Sequence, residues 1–302
     1  MRNLIKNLSQ NSIIRYLLIH TVKLWYNIYR YHIIPEKRFL EQTFQKKLGY
    51  KLNLNNPKTL NEKIQWLKLN ERKSLHTLCA DKYAVREYIS EKIGKQYLIP
   101  LLYHTDNPAD IVIKNMPDIP HIIKASHNSG KVFIVNDKNK IDVKKCQNDL
   151  KKLMGINYYY LGKEWQYKNI KPRILIEKLL LDEESNLPID YKFHYFNGKL
   201  AFIQVDIDRQ TEHKRNLYDP NWDFINCQWI YKNGNNVKKP QMLDQMKSLA
   251  EIIAKDFRYI RVDFYNLGSD IYFGELTFHP ESGFGNFYPI KWDRIFGKRL
   301  VL

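Results

Sequence analysis

Arg261, Asp263 and Glu275 are the residues whose types and spacing best suit chemistry in this sequence. They lie in two runs of alternating character on either side of residues 266–270, where Asn, Gly, Ser and Asp favour a turn, so the pattern predicts a β-hairpin. Alternation sends Ile260, Val262 and Phe264 to one face and Arg261, Asp263 and Tyr265 to the other. If Tyr265 pairs with Ile271, Arg261 faces Glu275 and Asp263 lies diagonal to it, roughly 7–8 Å away. Two carboxylates and a guanidinium then converge. Charges so placed stay hydrated, pair with one another or hold a cation, because an isolated buried charge costs several kcal/mol. From the hairpin alone, a plain Arg–Glu cross-strand pair remains open.

A second group lies upstream. Lys124 interrupts an apolar strand, 120–125, just before the polar loop 126–131, and a further strand follows at 132–135. A lysine there suits a phosphate clamp better than a core position. The loop is no Walker P-loop, since it holds Gly130 alone and Lys131 precedes Val132 rather than Ser or Thr. A bare hairpin loop is the other reading. Glu177 sits with Lys178 inside an otherwise apolar run, 172–181, and an acid there needs a reason. Asn197-Gly198 turns a clear hairpin between 189–196 and 199–205, beyond which lie Asp206, Asp208, Arg209, His213 and Arg215.

These groups need elements to carry them. Thr59 and Glu62 have capping-box spacing ahead of Ile64, Trp66, Leu67 and Leu69, which predicts a helix. A second helical segment opens at Asp81-Lys82-Tyr83 and ends at Gly94, with Lys82 placed as a solvated surface lysine unless it binds something. Residues 103–120, with three prolines, read as a connection between lobes. Residues 150–162 read as helical and then aromatic-rich, and 242–253 as a helix leading into the acidic hairpin.

The chain of 302 residues has ample core to fold without disulfides. Its three cysteines, Cys79, Cys146 and Cys227, are too few and too scattered for a disulfide framework or zinc site, which points to a reducing, cytoplasmic setting. The formal net charge of +17 attracts polyanions without choosing among nucleic acid, anionic membrane, nucleotides and acidic sugars. No zinc-finger or RNP-like string favours nucleic acid. Residues 1–45 are basic and aromatic, their apolar stretch far shorter than the roughly 20 residues of a spanning helix. They predict amphipathic helices that pack on the body of the protein or dock at the inner face of the cytoplasmic membrane.

With Lys82, Lys124 and its loop, Glu177 and the acidic hairpin in this order, the chain resembles the ATP-grasp superfamily. The strings Asn56-Pro-Lys-Thr-Leu-Asn-Glu-Lys-Ile-Gln-Trp66, Asp190-Tyr-Lys-Phe193 and Gly274-Glu-Leu-Thr-Phe278 resemble its TupA-like branch, named for teichuronopeptide synthesis, over about residues 40–302. The resemblance implies an α+β fold in which two lobes clasp ATP behind an N-terminal helical extension. It divides the chain into a basic helical segment (1–50), an N-terminal lobe (51–115), a lid (116–185) and a C-terminal lobe with the metal site (186–302). It implies a carboxylate–amine ligase that works through an acyl phosphate, with ATP and Mg2+.

In that reading Lys82 and Lys124 hold nucleotide phosphates, Ser129, Gly130 and Lys131 close over them, and Glu177, Lys178, Leu179 and Leu180 line the adenine site. Lys192 completes the nucleotide-binding set. Asp263 and Glu275 hold the metal, joined by Thr277 where the superfamily usually has Asn. Arg261, with Lys124, stabilises the transferring phosphoryl group. The branch implies addition of an amino acid or small amine to a uronic acid of a bacterial surface polysaccharide or its nucleotide-sugar precursor. Arg209, His213 and Arg215 are the candidates for the uronate carboxylate.

Two other readings stand beside it. Asp206-Ile-Asp208 has the Asp-x-Asp spacing by which a glycosyltransferase holds a metal on a nucleotide sugar, but it leaves Lys124, Glu177 and the hairpin without a role. A polyanion-binding protein without catalysis accounts for the charge and not for the convergent acids.

Overall fold

The computed structural model describes Thr21 and residues 24–129, 131–208 and 211–302. Gly130, Arg209 and most of the expected N-terminal amphipathic segment lie outside the described residues. The architecture is mixed α+β and is built on two antiparallel sheets. Strands β1 (Leu101–Thr105), β2 (His121–Ala125), β3 (Phe133–Val135) and β4 (Ile174–Lys178) form a four-stranded sheet in the order β1-β4-β2-β3. Strands β5 (Asp190–Phe196), β6 (Lys199–Ile207), β7 (Lys214–Tyr218), β8 (Phe224–Ile225), β10 (Tyr259–Leu267) and β11 (Asp270–Thr277) form a six-stranded sheet in the order β11-β10-β5-β6-β7-β8. A small ladder joins β9 (Gln228–Trp229) to β12 (Phe287–Tyr288).

Residues 103–120, expected to link lobes, begin inside β1 and run on to β2 through two short 3-10 turns, Pro108–Asp110 and Ile113–Asn115. Leu101–Thr105 pairs with β4, and Ile111 and Met116 are buried with Ile123, Ile174 and Ile176. Ile111 and Met116 help close that sheet's own core.

The six-stranded sheet is sided as the alternation predicts. Ile260, Val262 and Phe264 of β10 and Phe193, Tyr195, Ile203 and Val205 of β5 and β6 are buried in one core cluster. The helix Leu243–Ala254 covers them with Leu243, Met246, Leu249, Ala250 and Ile253. The opposite face carries the polar row that forms the candidate site.

The hairpin β10–β11 does form, but in a different register. Tyr265 pairs with Tyr272 rather than Ile271, Asp263 faces Glu275 directly, and Arg261 faces Thr277. The reversal closes over two residues, Gly268 and Ser269, because Gly268 takes a φ of 55° that favours glycine. In addition, Gly274 is an extra residue, bulged where the pairing shifts between Asp263 and Phe264. Ile271 and Phe273 point into the core, so without the bulge Glu275 would follow them there. One inserted residue turns the acid over to the polar face.

The helix Leu60–Asn70 begins in a complete capping box: Thr59 Oγ1 accepts from the Glu62 amide at 3.1 Å, and Glu62 Oε2 accepts from the Thr59 amide at 3.0 Å. Glu62 also accepts from the amides of Asn53 and Lys58, which ties the preceding loop to the helix start. Replacing Thr59 with Ala should therefore cost about 1 kcal/mol in a urea melt, and a change below a few tenths would deny the cap this role.

Candidate active site

The polar face of the six-stranded sheet presents a continuous row of charged side chains. Across β11, β10, β5 and β6 the register aligns Glu275, Asp263, Lys192 and Gln204, and one step along it aligns Asp190, Asp206 and Arg215. Every residue of the row is there because strand alternation excludes it from the core on the other face.

Arg261 holds the row together at one end. Its Nε and Nη2 donate to Asp263 Oδ1 and Oδ2, both at 2.7 Å, and Nη2 also donates to Glu275 Oε1 at 2.6 Å. Lys192 donates to Asp263 at 3.0 Å and also to Asp190. Thr277 donates to Glu275 at 3.3 Å. Burial pushes the Asp263 carboxyl up to about 6, against the pull of Arg261 and Lys192. Burial acts on Glu275 in the same sense, but Lys82 and Arg261 overcome it and hold that carboxyl down at about 2.

Lys82 links this group to the four-stranded sheet. It precedes the helix Val85–Lys92 and is largely enclosed rather than solvated. Its amide donates to Ser126 O at 3.0 Å, and its ammonium donates to Asn128 O at 2.6 Å and lies 3.8 Å from Glu275. The loop after β2 is therefore tied to the acidic hairpin through one side chain. The same loop is fastened on its other side, where Tyr158 donates to Ser129 O at 3.1 Å and Lys131 pairs with Asp149 at 2.8 Å.

Lys124 on β2 and Glu177 on β4 form their own pair at 2.5 Å, with Arg86 3.3 Å from the other Glu177 oxygen. This accounts for an acid inside an apolar strand: Glu177 is buried between two cations. Lys178 ends β4 exposed, and Leu179 and Leu180 follow it buried.

At the far end of the row, Asp206 is bound by Arg215 Nε at 2.6 Å and by Gln204 Nε2 at 3.1 and 3.0 Å, and His213 Nε2 lies 3.3 Å away. Arg215 Nη1 continues to Glu281 at 2.7 Å. Burial would raise the Asp206 pKa, but Arg215 and Lys192 drive it far below the ordinary carboxylate range. Asp208 lies past the end of β6 and is exposed, so Asp206 and Asp208 present different surroundings.

The structure thus joins Arg261, Asp263, Glu275, Thr277, Lys192 and Lys82 directly, and sets Lys124 and Glu177 in a neighbouring pair. His213 and Arg215 sit in a third cluster. Asp190, Arg86, Gln204 and Glu281 belong to these networks and went unnoticed as site residues in the sequence. Asp190 carried a signal, since it alternates with Lys192 in an otherwise aromatic strand; Glu281, in a turn, carried none.

Among the described residues, no group of three or more His, Cys, Asp or Glu side chains is arranged to hold a metal ion. Two facing carboxylates do suit magnesium, which takes one or two protein carboxylates and leaves its other positions to phosphate oxygens and water. Asp263 and Glu275 are the residues that would hold it, with Arg261 sharing their oxygens.

A family model described as TupA-like ATPgrasp matches residues 62–301. The chain belongs to the TupA-like ATP-grasp family. Solved structures similar to it include a D-alanine–D-alanine ligase from Bacillus anthracis, 18% identical over 66% of this chain and 57% of that one, with a TM-score of 0.37. The D-alanine–D-alanine ligase from Helicobacter pylori is 18% identical over 80% and 69%, with a TM-score of 0.39. The ATP-grasp ligase PsnB, solved with minimal precursor, Mg and ADP, is 12% identical over 72% and 57%, at 0.37. The ATP-grasp chain spans little more than half the length of the Bacillus anthracis enzyme. No curated protein matches it.

The depressed pKa of Asp206 has a defined consequence. A carboxylate whose folded pKa lies below its unfolded value of about 3.9 contributes stability above that pH and loses it as pH falls. Asp206→Asn should cost about 2 kcal/mol at pH 7 by urea denaturation, since it removes a buried charge-assisted hydrogen bond and leaves Arg215 with Glu281 alone. The gap to the wild type should hold down to about pH 5 and narrow as pH falls from there toward 2. A gap that does not change with pH would rule out the ion pair as its source.

Proposed function

We propose that this protein is an ATP-dependent carboxylate–amine ligase, joining an amino acid or small amine to a uronic acid of a bacterial surface polysaccharide or its nucleotide-sugar precursor. The observation that carries the reading is the Arg261–Asp263–Glu275 cluster, tied through Lys82 to the loop after β2. Anion-binding groups on one side and cation-binding groups on the other are what a nucleoside triphosphate with its metal requires. Family membership supports the same class of chemistry.

A carboxylate resists attack by an amine because its oxygen is a poor leaving group. In the proposed reaction a carboxylate oxygen attacks the γ-phosphorus and the bond to the β-phosphate oxygen breaks, releasing ADP. The amine lone pair then adds to the acyl carbon, the bond to the phosphate-bearing oxygen breaks, phosphate leaves, and the amine gives up a proton. Magnesium, when bound, supplies charge neutralisation on the phosphate oxygens. Arg261 places a fixed guanidinium beside the reacting oxygens at no reorganisation cost. Lys82, Lys124 and Lys192 contribute further positive charge, and Ser129, Gly130 and Lys131 form the covering loop. Glu177, Lys178, Leu179 and Leu180 line the base, and Asp263, Glu275 and Thr277 form the metal side. Arg209 and His213 take the uronate carboxylate, while Arg215 organises Asp206 and Glu281.

The four-stranded sheet serves as lid in this reading and the six-stranded sheet as floor. A net charge of +17 suits an acidic glycan. No helix among the described residues is long and apolar enough to cross a membrane. Trp25, Tyr29 and Ile33 are exposed beside Arg30, a composition suited to an anionic surface, so we place the protein on the cytoplasmic side with its N-terminal segment against the membrane.

Purified protein given ATP, magnesium, a uronate and mixed amines should release ADP and phosphate, whereas UDP release from a nucleotide sugar would transfer the assignment to a glycosyltransferase. Asp263→Asn and Glu275→Gln should each lower kcat by at least about a hundredfold; near-normal turnover in both would remove the metal role. Deleting residues 1–30 should abolish sedimentation with anionic vesicles, and unchanged binding would remove the membrane contact.

A further inference from the structure

The segment between β9 and the helix Leu243–Ala254 runs over the core face of the six-stranded sheet, away from the charged row, and interior side chains hold it there. Asn216 of β7 is fully buried; its Nδ2 donates to Asn235 O at 2.7 Å and its Oδ1 accepts from the Gly234 amide at 3.0 Å. The Tyr218 hydroxyl donates to Asn236 Oδ1 and accepts from the Val237 amide, both at 2.8 Å. The Trp222 indole lies flat on the Tyr218 ring, with centroids 4.3 Å apart, and donates to Val237 O at 3.2 Å. Beyond Pro240 the chain is caught again, where the Met242 amide donates to Asn266 Oδ1 at 3.4 Å. A stretch rich in Asn, Gly and Lys has the composition of a loose loop. This one is fixed on both sides of Lys238 and Lys239.

Between those lysines and the start of β5 lies a cleft of about 590 Å³, a volume within the roughly 300–1,000 Å³ of small-molecule sites. Ile189, Tyr191, Val237 and Pro240 give it an apolar floor, and the exposed Lys238 and Lys239 stand beside that floor. Among the described residues neither ammonium pairs with a carboxylate. Lys247 holds the nearby Asp244 carboxyl below its ordinary range, and Lys239 only adds to that pull. Two uncompensated ammoniums beside an apolar floor suit an anion that also has an apolar face. A uronate residue is such a group, with ring C–H bonds for the floor and a carboxylate for the lysines. Single-stranded nucleic acid fits less well, because its bases stack on open aromatic rings, and Tyr191 is only 6% exposed.

The cleft's position ties it to the active site. Tyr191 stands between Asp190 and Lys192 on β5, and alternation turns it to the other face of the sheet. The pinned segment packs beside Ile207 and Lys214, the paired residues that flank Arg209 and His213 in sequence: a Cβ on Gly234 would lie 3.2 Å from the Ile207 side chain and 3.1 Å from that of Lys214. The groups assigned to the uronate carboxylate and the cleft thus occupy two faces of the same strand ends. A long acidic glycan passing those ends reaches both, whereas a nucleotide sugar has one uronate and reaches one.

We propose that the cleft at Lys238 and Lys239 is a subsite for a second uronate of an acidic glycan chain, and that it selects an oligomeric or polymeric substrate over a single nucleotide sugar. The inference rests on the acidic-glycan reading above and narrows it.

The test is calorimetric titration of the full chain at low salt, without ATP or amine, using hexagalacturonate, galacturonate and the neutral maltohexaose. Hexagalacturonate should bind about tenfold or more tightly than the monomer, the gain expected when two sites engage one chain, and maltohexaose should not bind. The double variant Lys238→Gln, Lys239→Gln should weaken the hexamer about five- to tenfold, as loss of two exposed ion pairs predicts, and leave the monomer unchanged. Removing the same charge from the helix Val143–Met154, by Lys144→Gln with Lys145→Gln, should leave both unchanged. All four lysines are exposed, so the variants keep the fold. A hexamer that binds no better than the monomer, or that is weakened equally by the two double variants, overturns the subsite. A single-stranded DNA dodecamer that binds as tightly as the hexamer overturns its assignment to glycan. If the titrations come out as stated while the wild type given ATP, magnesium, hexagalacturonate and amines releases no ADP, the ligase reading falls and the subsite stands.

Discussion

The Arg261 guanidinium, bound at once to both oxygens of Asp263 and to Glu275, is the contact on which the rest of the site depends. Two carboxylates facing each other across adjacent strands repel when both carry charge, and burial of Asp263 makes that repulsion worse. A planar fork of donors on the same strand face resolves it, and a lysine point charge would not do so with the same geometry. Lys82 then faces the Glu275 oxygen that Arg261 leaves, and Lys192 shares Asp263 Oδ2 with the guanidinium. The site is therefore an alternation of charges laid across four strands. Its strand-borne members are fixed by sheet register rather than by loops, which gives them defined positions.

That alternation also explains the division of labour between the two faces. The core face of the six-stranded sheet is aromatic and aliphatic and is sealed by the helix Leu243–Ala254. Stability is concentrated there, so the opposite face can carry a dense set of buried charges. Asp206, Arg215 and Glu281 extend the same logic to the end of the row, where the chain leaves the sheet and the turn after β11 returns to it.

Much of this was legible in the sequence because strand alternation has a period of two. The pattern at 260–265 assigned the faces of β10 correctly, and Asn197-Gly198 located the turn between β5 and β6. The capping residues Thr59 and Glu62 marked the start of their helix. The register of the acidic hairpin was misread because pairing was counted outward from the turn with no allowance for a bulge. The sign of that bulge was present: apolar residues fall at 271, 273, 276 and 278, and the spacing widens once, at a glycine. Glu281 could not be found this way, since an irregular turn has no period and its partners are more than 60 residues distant in sequence. Asn61, Gln65 and Lys68 lie outside the apolar positions by which their helix was recognised, and only their contacts reveal that they are interior.

Gly274 shows how little separates this arrangement from an inert sheet. A Cβ at that position would lie 3.2 Å from the carbonyl oxygen of Asp263, so even alanine crowds the strand that carries the first acid. Its removal would be more drastic, for the chain would keep every reactive group while Glu275 rotated inward among phenylalanines. What the hairpin encodes at this point is a residue count. A scan that exchanges side chains one by one would pass over it, and a single-codon deletion would find it at once.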